Sequence, residues 1–171
     1  MKRLLLATAL SLLTAGSAMA QTVVLVRHAE KVDASADPVL SEAGQARAEA
    51  LSQALVDFHP DHVFTSPLQR TRLTAAPTAA HHSVTPEAFA FEGGTAGHVA
   101  AIAARIQSYP DDTVVLVVGH SNTIPLIARA LGYAEAADMA DCEYDRLTVL
   151  DLDGAQATGV VTRYGAPTTC E

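Results

Sequence analysis

The sequence contains no tryptophan, only two cysteines, and aromatic residues at just 5% of its 171 positions. The two cysteines lie 28 positions apart, a spacing that matches no zinc-binding motif. Basic residues are also scarce, because 11 Lys and Arg against 19 Asp and Glu give a net charge of −8. An acidic surface of this kind disfavours nucleic acid and anionic membranes as partners. Any anion-binding site must therefore be a local island of positive charge.

No apolar run is long enough to cross a bilayer as a helix, which takes about 20 residues. The longest run at the N-terminus, Leu4 to Leu13, follows Lys2 and Arg3 and precedes Ala18-Met19-Ala20. This order is typical of a secretory signal peptide and predicts cleavage after Ala20, with an uncleaved anchor as the alternative. The sequence thus predicts a periplasmic or secreted protein without a transmembrane segment in its mature form.

The mature region, residues 21–171, has the length of one ordinary domain and shows no internal repeat or linker. Its two cysteines are Cys142 and Cys170. In an oxidising compartment such a pair can bridge, which would tie down the C-terminus, whereas two unpaired buried thiols are the alternative. Export favours the disulfide.

Strand-like and helix-like segments alternate along the mature region. Apolar runs of the kind buried in parallel sheets, and one shorter strand, occur at 22–26, 114–118 and 62–65. Helical periodicity extends over 41–58, 95–109 and about 122–131. A capping-box pattern with proline in the first turn predicts a further helix that starts at Ser66.

The last two strands read as a hairpin, with Tyr144 to Leu152 and Ala157 to Tyr164 flanking Asp153-Gly154. Residues 81–97 are less regular. The pattern predicts an α/β fold of three layers, α/β/α, with a mainly parallel central sheet and a C-terminal edge hairpin. In such sheets the functional site lies at the carboxyl ends of the strands.

Three polar segments follow predicted strands: residues 27–31, 66–75 and 119–122. All three are expected at the same edge of the sheet. Two of them lead into helix N-termini, whose free N–H groups and dipole favour anions. The sequence therefore predicts a phosphate-binding site.

Phosphoryl transfer requires an in-line nucleophile and fixed positive charge around the transferred group. Arg27 and Arg70 suit the second role, because the guanidinium fork binds phosphate with two hydrogen bonds and keeps its charge. His28 suits the first role, because a neutral imidazole nitrogen can attack phosphorus. His120 is expected to hydrogen-bond the transferring group.

The motifs in these segments resemble those of the histidine phosphatase superfamily, also called the phosphoglycerate mutase-like family. They are Val-Arg-His-Ala-Glu-Lys at 26–31, Leu-Ser-Glu-Ala-Gly at 40–44, Ser-Pro-Leu-Gln-Arg-Thr-Arg-Leu-Thr-Ala at 66–75 and Val-Gly-His-Ser at 118–121. The resemblance implies a phosphoglycerate mutase-like fold and a phosphatase that needs no metal or cofactor. It also implies a phosphohistidine intermediate at His28.

By the same resemblance, Arg27, Arg70 and His120 complete the phosphate pocket. The residues expected to contact the rest of the substrate are Lys31, Ser121 and Asn122. The family's proton donor, commonly a Glu after the second arginine, has no clear counterpart. Glu92 is the preferred candidate, with Glu87 and Glu30 as alternatives.

Other polar residues are predicted to lie outside the site. Arg72, two positions beyond Arg70, should point elsewhere. His81 and His82 are adjacent, so on an extended segment they would face opposite ways, and no acidic or cysteine cluster accompanies them. No metal site is predicted.

The sequence thus predicts a phosphomonoester hydrolase acting outside the cytoplasm on a phosphorylated small molecule or envelope component. A mutase is disfavoured by export. The competing hypotheses are a catalytically silent phosphate-binding or envelope-interaction protein with the same pocket, and a metal-dependent hydrolase. The short span between Arg70 and the next helix leaves little room for a cap domain.

Overall fold

The computed structural model describes residues 20–154 and 156–170. The predicted signal peptide, residues 1–20, lies outside the described part of the chain except for Ala20. Within these described ranges, no helix combines the length and the apolar character that spanning a membrane requires.

A six-stranded mixed sheet forms the centre of the fold, in the order β3-β2-β4-β1-β5-β6. The strands are β1 (Gln21–Arg27), β2 (His62–Thr65), β3 (Glu87–Ala88), β4 (Val114–Gly119), β5 (Arg146–Asp153) and β6 (Gln156–Arg163). Strands β1 to β4 pair with one another only in parallel. Strand β5 runs antiparallel to β1 and forms a hairpin with β6. The predicted parallel sheet with an edge hairpin is confirmed.

Two helices cover each face of the sheet. The helices are α1 (Glu42–Ala54), α2 (Gln69–His81), α3 (Gly94–Gln107) and α4 (Ile124–Ala130). Alternate residues of β1 point to opposite faces, so Val24 packs in one core cluster with Leu51 of α1. Val23 packs in the other cluster with Ile102 of α3. The three-layer α/β/α architecture is therefore confirmed.

The ends of two helices differ from the predicted bounds. Helix α1 begins after Ser41, whose side chain accepts a hydrogen bond from the Gly44 N–H, but it ends at Ala54 rather than near Phe58. After Ala54 the helical bonding gives way to tighter turns, in which the Val56 N–H donates to the Gln53 carbonyl at 3.4 Å and the Phe58 N–H to the Leu55 carbonyl at 3.0 Å. Helix α4 begins at Ile124, two residues later than predicted.

The helix expected to start at Ser66 begins instead at Gln69, with Leu68 as its N-cap residue. The Ser66 hydroxyl is engaged elsewhere, 2.9 Å from Thr71 Oγ1 and 3.0 Å from His120 Nε2. Its Oγ also accepts a hydrogen bond from the Leu68 N–H at 3.3 Å, so Ser66 closes a turn ahead of the helix instead of starting the helix itself. Strand β3 was not predicted, because a pairing of only two residues has no detectable periodicity.

Candidate active site

Adjacent strand ends bring the two predicted histidines together. Arg27 at the end of β1 pairs in register with Gly119 at the end of β4, and the His28 N–H donates to the Gly119 carbonyl at 2.9 Å. His28 and His120 therefore follow neighbouring strands, with their ring centroids 5.3 Å apart. A side chain at position 119 would place its Cβ 2.8 Å from Ile124 Cδ1, which explains why glycine fits this junction.

The histidines line an open cavity of about 290 Å³ at the carboxyl edge of the sheet. Seven of the predicted site residues lie in its lining: Arg27, His28, Lys31, Arg70, His120, Ser121 and Asn122. The rest of the lining consists of Leu68, Phe91 and Asp141. Three chain segments that are far apart in sequence thus converge on one positively charged concavity.

The tautomer of His28 follows from its backbone contact. Its side chain is 4% exposed, and Nδ1 lies 2.8 Å from the carbonyl of Ala29. Because a carbonyl only accepts hydrogen bonds, Nδ1 carries the proton and Nε2 keeps its lone pair. Burial, together with the charges of Arg27 and Arg70, lowers the pKa of His28 to about 4. The imidazole is therefore neutral at neutral pH, the form that can act as a nucleophile.

His120 is held by a chain of hydroxyl groups. Its Nε2 lies 3.0 Å from Ser66 Oγ, and Thr71 Oγ1 lies 2.9 Å from Ser66 Oγ. Burial and the nearby charges of His28 and Arg70 lower the pKa of His120 to about 3, so this ring is neutral as well. Ser66 is thus a site residue that the sequence analysis had assigned to helix capping. Its position at the end of β2 was the signal that could have identified it.

Arg27 is buried and fixed by main-chain carbonyl groups. Its Nη1 donates to the carbonyls of Ala140, Asp141 and Glu143 at 3.0, 2.7 and 3.3 Å. The ring of Tyr144 lies against the guanidinium, with its centroid 4.2 Å from Cζ. No sequence pattern predicts this arrangement, because every residue type has a main-chain carbonyl.

The second arginine is held more loosely. Arg70 lies in the first turn of α2, and its Nη1 is 3.4 Å from the carbonyl of Ala36. The Nε atoms of both Arg27 and Arg70 are buried without a hydrogen-bond partner among the described residues. Buried donors of this kind normally have an acceptor, and a phosphate oxygen is one that fits. Arg72 is exposed and does not contribute to the lining, as predicted.

Glu92, the preferred proton donor, is exposed and is not part of the cavity lining. The alternatives are engaged elsewhere. Glu87 pairs with Arg105 at 3.4 Å. Glu30 receives three hydrogen bonds from Arg47 at 2.6 to 2.9 Å. Neither alternative is part of the cavity lining.

The carboxylate that does line the cavity is Asp141. Its Oδ1 accepts a hydrogen bond from Ser121 Oγ at 2.8 Å and lies 3.9 Å from Arg27 Nη2. Among the described residues, the acidic side chain of the cavity lining is thus an aspartate from the segment between α4 and β5, whereas Glu92, Glu87 and Glu30 lie outside the lining. That segment has no motif in the sequence, so the residue was missed.

Phe91 occupies the rim where Glu92 was expected. Its ring stacks on His98 at a centroid distance of 4.4 Å and lies 5.8 Å from His120. The side chain is 38% exposed and is part of the cavity lining. The irregular segment after β3 thus contributes an aromatic wall to the cavity.

In the described ranges of the chain, no group of three or more His, Cys, Asp or Glu residues is placed to hold a metal ion. Cys142 and Cys170 are joined by a disulfide, with their Cα atoms 5.3 Å apart. The bridge links the segment after α4 to the segment after β6.

A second cavity of about 460 Å³ adjoins the first and shares Ser121, Asn122 and Asp141 with it. Its other lining residues are Pro125, Leu126, Asp138 and Met139. A group bound between the histidines and arginines would thus have a partly apolar space beside it.

These features are similar to those of known proteins. The model of the histidine phosphatase superfamily (branch 1) matches residues 23–90, the region that contains Arg27, His28 and Arg70. A solved structure of the protein histidine phosphatase SixA complexed with tungstate has the same fold, with a TM-score of 0.66, 18% identity, and coverage of 83% of this chain and 96% of that one. The family match covers residues 23–90, and the described chain has the fold of a solved histidine phosphatase; both findings support the histidine phosphatase superfamily.

Two further relatives are more similar in sequence. A protein from Nakamurella multipartitia, provisionally assigned as the phosphohistidine phosphatase SixA, is 28% identical over 86% of this chain and 96% of its own, with a TM-score of 0.60. Phosphoserine phosphatase 1 of Hydrogenobacter thermophilus is 43% identical over 60 residues, which is 31% of this chain. The matched segment spans 28% of that relative's length.

Proposed function

We propose that this protein is a phosphomonoester hydrolase that works through a phosphohistidine intermediate on His28. The observation that carries the proposal is the His28 tautomer. His28 Nδ1 donates a hydrogen bond to the Ala29 carbonyl oxygen, with 2.8 Å between nitrogen and oxygen, so the lone pair is on Nε2. This nitrogen belongs to the same cavity as two arginines with buried Nε donors.

The reaction consists of two displacements at phosphorus. In the first, the Nε2 lone pair forms an N–P bond as the P–O bond to the leaving group breaks, and the leaving oxygen takes up a proton. In the second, water attacks phosphorus, the N–P bond breaks with its electron pair returning to Nε2, and inorganic phosphate leaves. Arg27 and Arg70 stabilise the charge on the equatorial oxygens in both steps.

The leaving group has room beside the phosphate site. The adjoining cavity of about 460 Å³ begins at Ser121 and Asn122 and is partly apolar through Leu126 and Met139. This space supports a small phosphorylated molecule, or a phosphorylated group that projects from a larger envelope component, as the substrate.

Alkaline trapping of the intermediate tests the mechanism. An N–P bond survives alkali and is labile in acid, unlike a phosphoserine or an acyl phosphate. Rapid quenching of turnover into alkali should therefore trap phosphate on the peptide that contains His28. His28→Ala should abolish both the adduct and hydrolysis of an aryl phosphate, whereas a chelator should leave the rate unchanged. An adduct on Ser66 or Ser121 would contradict the mechanism.

The same assay separates the competing hypotheses. A catalytically silent phosphate-binding protein would bind inorganic phosphate but would neither hydrolyse the aryl phosphate nor form an adduct. A metal-dependent hydrolase would lose activity in chelator. Arg72→Ala is the matched control for Arg70→Ala, because Arg72 carries the same charge as Arg70 on the same helix but lies outside the cavity lining.

We further propose that the protein acts outside the cytoplasm. The proposal is supported by the charged start, the short apolar run and Ala18-Met19-Ala20, and by the pairing of Cys142 with Cys170, since disulfides persist in oxidising compartments. Mass spectrometry of the protein from its native host should find Gln21 as the first residue. A mature protein that starts at Met1 would contradict this location.

A further inference from the structure

Arg27 owes its orientation to one short loop. The Nη1 donor is shared among the carbonyls of Ala140, Asp141 and Glu143, and the ring of Tyr144 lies against the guanidinium plane at 4.2 Å. We call residues 140–144 the clamp loop. Every close contact that fixes the distal end of this side chain among the described residues comes from the clamp loop.

The clamp loop has little structure of its own. Helix α4 ends at Ala130 and β5 begins at Arg146, and residues 131–145 contain neither helix nor strand. One local backbone bond, from the Glu143 N–H to the Ala140 carbonyl at 3.0 Å, closes a turn. The conformation of the loop must therefore be maintained by contacts from outside it.

The disulfide provides such a contact at the middle of the loop. Cys142 lies between two of the residues whose carbonyls hold Arg27, and it is bonded to Cys170. The segment that contains Cys170 is itself anchored, because Thr168 donates to Asp145 from its N–H at 3.3 Å and from Oγ1 at 2.7 Å. The bridge thus ties the clamp loop to a fixed C-terminal segment.

We propose that the Cys142–Cys170 disulfide is a positioning element for Arg27, so that phosphate binding and catalysis depend on the oxidation state of this pair. The reduced protein keeps all the residues of the cavity and the ion pairs of Glu143 with Arg146 and Arg163, but it loses the covalent constraint beside the carbonyls that orient the guanidinium. The inference rests on the proposed function for its catalytic part. Its binding part can be measured with inorganic phosphate alone.

The test compares the oxidised protein with Cys142→Ala/Cys170→Ala at a temperature where circular dichroism shows both folded. The dissociation constant of inorganic phosphate, measured by calorimetry, should rise about tenfold. The kcat/KM for an aryl phosphate should fall about 10- to 100-fold, because a displacement of about 1 Å in a catalytic group has effects of this size. If the double variant does not fold, native wild type reduced with a phosphine and alkylated provides the same comparison.

A double-mutant cycle distinguishes positioning from general destabilisation. In an Arg27→Lys background the same cysteine replacements should change phosphate affinity by less than about twofold, because the group that they position has been removed. Ser41→Ala is the matched control for stability. It removes the cap of α1, a 3.1 Å hydrogen bond from the Gly44 N–H, and leaves the disulfide and the clamp loop untouched, so it should lower Tm while phosphate affinity stays within about twofold.

The outcomes separate the two proposals. Equal phosphate affinity in the oxidised and cysteine-free proteins, or an equal loss in the Arg27→Lys background, would overturn the positioning role. An oxidised wild type that binds phosphate but hydrolyses nothing would refute the proposed function, and the binding comparison would still decide the role of the disulfide.

Discussion

Acidification should destabilise this protein through the two buried histidines of the candidate site. His28 is 4% exposed and its pKa is lowered to about 4, first by burial and then by the charges of Arg27 and Arg70. In the unfolded chain a histidine has a pKa of about 6.5. The difference corresponds to about 3 kcal/mol of folding free energy that is present at neutral pH and lost in acid.

The sign follows from proton uptake. Between pH 6.5 and about 4 the unfolded chain holds a proton on His28 and the folded protein does not, so the free energy of unfolding falls as pH falls. Each such histidine contributes a slope of about 1.4 kcal/mol per pH unit. His120, with a pKa of about 3, adds a second contribution in the same direction. The carboxyl groups of Glu143 and Asp145, whose pKa values are lowered by their arginine partners among other contacts, act mainly below this window.

Urea unfolding between pH 4.5 and 7 measures the slope, and NMR titration of the imidazole nitrogens measures the pKa of His28 directly. His28→Gln should reduce the slope by about 1.4 kcal/mol per pH unit, because it removes one histidine that is protonated in the unfolded chain and neutral in the folded protein over this range. His81→Gln, at an exposed position, is the control for replacing a histidine. An unchanged slope in His28→Gln, or a His28 that titrates near pH 6.5, would refute the reasoning about its environment.

Three further predictions concern individual contacts of the cavity. Arg70→Ala should lower kcat/KM for an aryl phosphate, measured by steady-state kinetics, by about 10²- to 10³-fold, since it removes a charged donor from the site. Arg72→Ala should stay within about threefold of wild type. The reverse order of the two variants would show that the register of the helix is wrong. Ser66→Ala removes the hydroxyl 3.0 Å from His120 Nε2. It should slow adduct formation about 3- to 10-fold, which is the range for the loss of one hydrogen bond. An unchanged rate of adduct formation in quench-flow would exclude a role for this contact. Asp141→Asn should slow hydrolysis of an alkyl phosphate about tenfold or more and of a nitrophenyl phosphate much less, because only the alkoxide requires a proton as it leaves. Equal effects on the two substrates would show that Asp141 does not supply that proton. Asp138→Asn, at the neighbouring carboxylate, is the control.

The central parallel strands and the positions of the principal site residues could be predicted from the sequence. The apolar runs at 22–26 and 114–118 can be buried only in the middle of a sheet covered on both faces, and both strands are found there as β1 and β4. Parallel strands place their carboxyl ends at one edge. His28 and His120, each directly after such a strand, were therefore expected to meet, and their ring centroids lie 5.3 Å apart.

Local signals were less reliable where tertiary contacts compete with them. Ser66 has every feature of a helix cap, yet its hydroxyl bonds to Thr71 and His120, and α2 begins at Gln69. The signal for a cap is only the presence of a short hydroxyl side chain near a helix start. It does not reveal which partner that hydroxyl finds once distant segments pack against it.

The positions of the Asp141 carboxylate and of the clamp loop depend on the tertiary structure alone. Asp141 and the carbonyls that hold Arg27 come from residues 131–145, which have no regular structure and no motif. The Cys142–Cys170 bridge and the arginine contacts determine where this segment lies. Sequence patterns report periodic burial and strand ends, because these depend on residues near one another in the chain. A loop held by main-chain carbonyls and a disulfide depends instead on segments that only the folded chain brings together.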